Sequence, residues 1–121
     1  MLTVPLIRDI ILRDKFHLDS EPLCVHGCCV TGITAELLIK PDDEIYENII
    51  QQIGSNNCTN AYFDADIFKD NYEILVKTTK SICENVVVSA MCPRLDDKFC
   101  NIRIGNYILS KLCSNDNCHW Q

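Results

Sequence analysis

The chain has 121 residues, which is enough for one domain with a single hydrophobic core. Its 17 acidic residues outnumber its 11 basic ones, and the net charge of −6 argues against binding to nucleic acid, because a negative surface repels phosphates. No apolar run approaches the ~20 residues that span a bilayer, and the N-terminus lacks the pattern of a secretion signal, so we expect no membrane segment.

Hydrophobic periodicity predicts two helices and two strands in the first half of the chain. Thr34 is the expected N-cap of the second helix, because a threonine hydroxyl can accept a hydrogen bond from the first helical turn. In chain order, the predicted helix, strand, helix and strand cover residues 6–14, 23–26, 34–40 and 48–53.

The second half repeats the same alternation. The valine run at residues 86–88 is strongly β-forming, and a continuous apolar run is typical of a parallel strand inside a sheet. We therefore expect it to pair in parallel with the strand at residues 48–53. The predicted helix, strand, helix and strand cover residues 64–83, 85–91, 97–113 and 118–120.

Alternating helices and strands indicate an α/β fold, in which right-handed crossovers build a mostly parallel sheet between layers of helices. The expected architecture is a three-layer sandwich of the flavodoxin-like type. It is expected to be incomplete at both ends, because the chain begins in a predicted helix without a first strand and ends without a final helix.

Nine cysteines are present, and an odd number argues against a closed set of disulfides. Several lie in apolar segments, where a reduced cysteine packs as a small hydrophobic side chain. We expect free thiols in a reducing compartment, and hence a cytoplasmic location.

Four segments, in this order, resemble the sequence blocks of SGNH (GDSL) hydrolases. Residues 6–10 (Leu-Ile-Arg-Asp-Ile) look like those that follow the Gly-Asp-Ser turn at the end of that family's first strand. Residues 31–34 (Thr-Gly-Ile-Thr) resemble the second block, and residues 54–57 (Gly-Ser-Asn-Asn) the third, normally Gly-x-Asn-Asp. Residues 86–94 are similar to the fourth strand of a subgroup common in invertebrate and mobile-element-associated reading frames.

The resemblance implies an ester hydrolase, but two parts of its catalytic machinery are expected to be missing. Aligned backwards from Leu6, the family's Gly-Asp-Ser falls on Thr3, Val4 and Pro5, so a proline without a hydroxyl occupies the nucleophile position. The family's Asp-x-x-His block, which supplies the base, is expected after the last strand, and the sequence reaches Gln121 without it. We thus expect a single domain over residues 1–121 that lacks both segments.

Part of an oxyanion hole is expected to remain. The resemblance assigns its backbone donor to Gly32 and its side-chain amide donor to Asn56. Gly54 and Asn57 belong to the same third-block loop, and Asn57 stands where the family has aspartate. The residues alone leave a second interpretation open, because Gly-Ser-Asn-Asn is also ordinary turn chemistry. No cofactor is implied.

Three other groups of residues contain side-chain types that occur in metal or catalytic sites. Residues 24–29 (Cys-Val-His-Gly-Cys-Cys), with Cys118 and His119, contain zinc-ligand types, but packed thiols and a polar loop explain them better. Ser89 follows a strand but has no histidine at a family position to activate it. The acidic cluster at residues 42–44 reads as a solvated turn rather than a metal site.

The sequence therefore predicts an SGNH-hydrolase-like domain that is catalytically inactive. Two alternatives stay open. One is an esterase-type hydrolase whose nucleophile and base lie outside this chain. The other is a protein-interaction module, whose partner would pair with the sheet edge left open by a missing first strand.

Overall fold

The computed structural model describes residues 3–7, 29–38 and 46–121. These residues form four strands and four helices, and every pair of neighbouring strands in the sheet, whose order is β1-β2-β3-β4, is parallel. The expected α/β fold with a parallel sheet is confirmed. The elements are β1 (Thr3–Ile7), α1 (Val30–Leu38), β2 (Tyr46–Gln52), α2 (Ser55–Cys58), α3 (Ala65–Lys80), β3 (Cys83–Val88), α4 (Asn101–Asp116) and β4 (His119–Trp120).

The predicted pairing of the two central strands is confirmed. β2 and β3 run in parallel, with Ile49 opposite Val86 and Gln51 opposite Val88. These four side chains are buried, because they face the helices, whereas Val87 on the opposite face is half-buried. The described helices α1, α3 and α4 contact one another in that order and form one layer on the sheet.

The predicted helix over residues 6–14 is wrong at its start, because Leu6 and Ile7 belong to β1. β1 pairs with β2 over its whole length, with Thr3 opposite Asn48 and Ile7 opposite Gln52. Pairing with β2 thus overrides the helical spacing of the apolar residues. The expectation that the chain lacks a first strand is corrected with it, and β1 itself forms one edge of the described sheet. Residues 8–14, like the predicted strand at 23–26, lie outside the described residues.

Helix α1 begins four residues earlier than predicted. Thr34 is not its N-cap but lies inside it, where it is buried and its hydroxyl donates to the carbonyl oxygen of Val30 at 3.1 Å. Glycine and β-branched residues disfavour a helix at this point. The helix forms because Val30, Ile33 and Leu37 lie on one face and bury completely or nearly so in the core.

Helices α3 and α4 are largely as expected, with shifted N-termini. Asp64 caps α3 as an acceptor from the backbone N–H groups of Asp66 and Ile67. The helix predicted from residue 97 begins at Asn101, because the Asp97 carboxylate caps it from outside. The predicted strands at 85–91 and 118–120 correspond to β3 and β4.

Buried polar contacts hold the carboxyl end of β2 against α3. The amide of Gln51 donates to the hydroxyl of Thr79, which in turn donates to the carbonyl oxygen of Leu75 at 2.8 Å. The hydroxyl of Tyr72 donates to the carbonyl oxygen of Ile53 at 3.3 Å. Both side chains on α3 are fully buried, so the point at which the chain leaves β2 is held in place.

Six cysteines of the described residues are free thiols, in agreement with the expectation from their odd number: Cys58, Cys83, Cys92, Cys100, Cys113 and Cys118. Cys24 and Cys28 lie outside the described residues. None of the helices in the described ranges is long and apolar enough to cross a bilayer.

Candidate functional site

The candidate site lies at the carboxyl end of β2, where the chain turns through Gly54 into the one-turn helix α2. Gly54 has a φ of 116°, a conformation that favours glycine. A Cβ atom there would lie 3.0 Å from Phe68 Cε2 and 3.1 Å from Met91 Sδ. The glycine is therefore required both by the turn and by its packing. The sequence did not predict α2, since four residues are too few for a periodic signal.

Asn56 lies on α2, and its side chain is oriented by Arg94 from the loop after β3. Arg94 Nη1 donates to Asn56 Oδ1 at 2.7 Å. Because a guanidinium can only donate, this bond fixes which side of the amide carries the oxygen, and the donating Nδ2 lies on the other side. Asp96 holds Arg94 in a two-point ion pair of 2.9 and 2.6 Å.

Arg94 is a functional candidate that the sequence did not single out. It is separated from Asn56 by 38 residues, and only the parallel pairing of β2 with β3 brings the two loops together. One feature of the sequence could have pointed to Arg94. It directly follows a proline in the loop after a buried strand, at the edge where ligands of α/β sheets bind.

Asn57 joins the same loop to α1. Its Oδ1 accepts a hydrogen bond of 3.2 Å from the backbone N–H of Val30, the first residue of α1. Gly32 lies half-buried in the first turn of that helix. The helix that carries Gly32 and the loop that carries Asn56 are thus directly connected, and the role of either residue as an oxyanion donor is taken up below as a proposal.

Cys29 precedes α1 and lies at the same connection. The pKa of its thiol is below the ordinary value, first because its sulfur is hydrogen-bonded to the Thr31 hydroxyl and second because the Gly32 backbone N–H faces it. Donor groups at the start of α1 therefore favour a negative charge at this point.

Replacing Asn57 should separate hydrogen bonding from charge. Asn57→Leu should lower the free energy of unfolding by about 0.5–2 kcal/mol, because the N–H of Val30 loses its acceptor. Asn57→Asp, the family's residue, should be neutral or stabilising by up to about 1 kcal/mol at low salt, because it keeps the acceptor and adds a negative charge at a helix N-terminus. Urea denaturation of both variants measures this, and an aspartate variant less stable than the leucine variant would contradict it.

The loop after β3 is itself held at several points. The Asn106 side chain accepts from the backbone N–H of Met91 at 2.8 Å and donates to its carbonyl oxygen at 3.0 Å. Asn101 on α4 donates to the carbonyl oxygen of Cys58 at 3.0 Å, which ties α4 to α2. Arg94 and its ion-pair partner therefore project from a loop with fixed ends.

The structure contradicts the placement of Pro5 in a turn. Pro5 lies in the middle of β1, opposite Ile50 and two residues before the strand ends. Within the described residues β1 is at the edge of the sheet, which is where strands tolerate proline. The family's turn follows the first strand, so it would begin after Ile7, and those residues lie outside the described ranges.

The other sequence candidates do not assemble into a site. His119, the sole histidine of the described residues, is exposed on β4 opposite Val87, and no hydrogen bond joins it to Ser89. No cluster of three potential metal ligands occurs within residues 3–7, 29–38 and 46–121. Of the proposed zinc segment only Cys29 is described, and the acidic cluster at residues 42–44 lies outside the described residues.

Known proteins similar to this chain are found by comparison of structures and not by comparison of sequences. No protein-family model matches the chain, and no curated protein matches it in sequence. An acetyl xylan esterase, AlAXEase, superposes with a TM-score of 0.73 at 16% identity, over 98% of this chain and 76% of the esterase. An acetyl xylan esterase from Geobacillus stearothermophilus superposes with a TM-score of 0.66 at 12% identity, over 98% and 73%. The chain thus has the same α/β fold as these two esterases.

Proposed function

We propose that this chain is a hydrolase-like domain that has kept its oxyanion-donor loop but lost its nucleophile, and that it does not hydrolyse esters. The observation that carries the proposal is the path of β1, which runs through Pro5 and ends at Ile7. The family's serine position then falls on Pro5 by the sequence alignment, or on Ile10 if the turn Arg8-Asp9-Ile10 follows the observed strand. Neither residue has a hydroxyl.

Thr3 cannot replace the missing serine. It is the one hydroxyl residue among residues 1–14, and it pairs with Asn48, four residues before β2 ends. At ~3.3 Å per residue, Thr3 lies about 13 Å from the edge that carries Asn56. A nucleophile must lie within hydrogen-bond reach of its base and its oxyanion donors, so this separation excludes Thr3.

Retention of the donor loop supports a binding role. The charged bond from Arg94 orients the amide of Asn56, and Asn57 links the loop to α1, which carries Gly32. Preorganised donors of this kind stabilise a negative oxygen. Without a nucleophile that oxygen does not form from an ester, so the loop can recognise a polar acyl group but cannot turn it over.

The test is an esterase assay with nitrophenyl acetate, an acetyl ester chosen because both structural neighbours are acetyl xylan esterases. The chain should show no turnover above the background of a general protein surface, and Asn56→Ala should change nothing. A serine-directed fluorophosphonate probe should label no residue, because no serine of the described residues is hydrogen-bonded to a histidine that could activate it.

Asn60→Ala is the matched control, because Asn60 is an exposed asparagine two residues after α2 whose side chain accepts from the backbone N–H of Tyr62. Turnover that is lost in Asn56→Ala but kept in Asn60→Ala, with labelling of one serine, would show that the chain is an enzyme and that its nucleophile has been misassigned.

A second candidate is an esterase-type hydrolase whose nucleophile and base lie outside this chain. The ordered contact between Arg94 and Asn56 favours it, since a loop free of selection has no need of a fixed amide. Genomic sequence that continues in frame into an Asp-x-x-His block would support this candidate over the first, because the base would then follow the last strand. For both candidate functions, the sequence of residues 86–94 supports membership of the subgroup found in invertebrate and mobile-element-associated reading frames. The free thiols of the described residues support a cytoplasmic location.

A further inference from the structure

A cavity of about 440 Å³ lies between the loop after β3 and the first two turns of α4. Its size falls within the range of small-molecule sites, roughly 300–1,000 Å³. Its apolar walls include Met91 and Ile102, both almost fully buried, and Pro93 at the rim. The cavity adjoins the candidate site through Arg94, which lines it and donates to Asn56, but its apolar walls belong to the loop after β3 and to α4.

The walls of this cavity are held in place without a ligand. Asn106 fixes the backbone of Met91 by two hydrogen bonds of 2.8 and 3.0 Å. Asp97 fixes the start of α4 by accepting from the N–H groups of Asn101 and Ile102, both at 2.9 Å. A cavity that is formed before binding costs little ordering when a ligand enters.

The polar groups that line the cavity have partners within the protein, with Arg103 as the exception among the charged ones. Arg94 is paired with Asp96, and both oxygens of Asp97 are engaged by the helix start. Arg103 is exposed, and no carboxylate of the described residues lies within ion-pair distance of it. Arg103 is therefore the charged group of the lining that a ligand can pair with.

Arg103 is the third residue of α4, close to the N-terminus, where the helix dipole disfavours a positive charge. The Asp97 carboxylate caps this end of the helix, and both of its oxygens are engaged by the N–H groups of Asn101 and Ile102. The guanidinium of Arg103 is therefore available to an anion from outside the chain.

We propose that this cavity binds a small monocarboxylate with an apolar body, whose carboxylate pairs with Arg103 and whose body packs on Met91, Pro93 and Ile102. The guanidinium fork matches the two oxygens of a carboxylate. A single negative charge is selected over a phosphate dianion, because Asp97 lines the same cavity and the chain carries a net charge of −6.

Calorimetric titration with phenylbutyrate tests the proposal, with phenylbutyramide as the uncharged analogue and phenyl phosphate as the dianion. Phenylbutyrate should bind with a millimolar-range dissociation constant, and both analogues should bind more weakly. Arg103→Gln should weaken phenylbutyrate by about tenfold or more, the loss expected for a hydrogen-bonded charge pair. Backbone amide NMR signals of residues 91–103 should shift on binding.

Lys111→Gln is the matched control, because Lys111 is an exposed cation on the same helix that lies over the Tyr107 ring and does not line the cavity. It should bind phenylbutyrate as the parent chain does, and circular dichroism should show that both variants fold. Absence of binding, equal affinity of Arg103→Gln, equal affinity of the amide, or tighter binding of phenyl phosphate would each overturn the proposal. None of these outcomes depends on whether the chain hydrolyses esters.

Discussion

Gly54→Ala should lower the free energy of unfolding by about 2–4 kcal/mol and disorder residues 54–57. A φ of 116° strains any residue with a side chain, at a cost of about 1–3 kcal/mol. The added Cβ would also lie 3.0 Å from a ring carbon of Phe68 and 3.1 Å from the Met91 sulfur, and overpacking of that kind costs a further ~1–3 kcal/mol. Alanine also lowers the conformational entropy of the unfolded chain, but this stabilises the folded state by only ~0.4–1 kcal/mol. Urea denaturation measures the net effect.

Gly105→Ala separates strain from crowding. Its Cβ would lie 2.7 Å from Met91 Cε and 2.8 Å from Cys58 Sγ, closer contacts than at Gly54, but its φ is that of an ordinary helix. Alanine gains ~1 kcal/mol of helix propensity there, which offsets part of the crowding. Gly105→Ala should therefore destabilise less than Gly54→Ala. An equal or larger loss at Gly105 would show that crowding, and not backbone strain, makes Gly54 necessary.

Stability should fall steeply above about pH 9, because buried thiols keep their protons in the folded chain. Burial raises the pKa of Cys58 and Cys113 to about 12 and that of Cys83 to about 11, from 9.0. The unfolded chain loses these protons first, so the folded state binds more protons and its stability drops as pH rises. Between pH 8.5 and 10 the expected loss is about 1 kcal/mol per thiol, or about 3 kcal/mol in total.

Urea denaturation at a series of pH values measures this slope, and below about pH 8 it should be flat. The double variant Cys58→Ala/Cys113→Ala lacks two of the four thiols whose pKa burial raises, the others being Cys83 and Cys118, and should lose about 2 kcal/mol less than the parent chain over this pH range. Measurement stops at pH 10, because the buried phenol of Tyr72, whose pKa is also raised by burial, begins to contribute above it. A double variant with the full slope would show that the thiols are not its source.

Local signals predicted the elements in which one residue pattern dominates. The valine run identified β3 and its parallel pairing with β2, because a strand buried between neighbours needs apolar residues throughout. The long periodic segment at residues 64–83 identified α3, because one apolar face is a property of the helix itself. The resemblance, built from short blocks in the right order, led to the fold that the two esterases share.

The sequence by itself determined the alternation of helices and strands over the second half of the chain and the position of Asn56 after β2. Only the tertiary structure decided that Thr3–Ile7 is a strand, because a short apolar run gains its hydrogen bonds as a strand only when β2 lies beside it. It also decided that α1 begins at Val30, through burial of that residue in the core. The contact of Arg94 with Asn56 was likewise decided by the tertiary structure, because the two residues lie on loops after different strands. Each of these features depends on partners distant in the sequence, and no local pattern of residues encodes which distant groups the folded chain brings together.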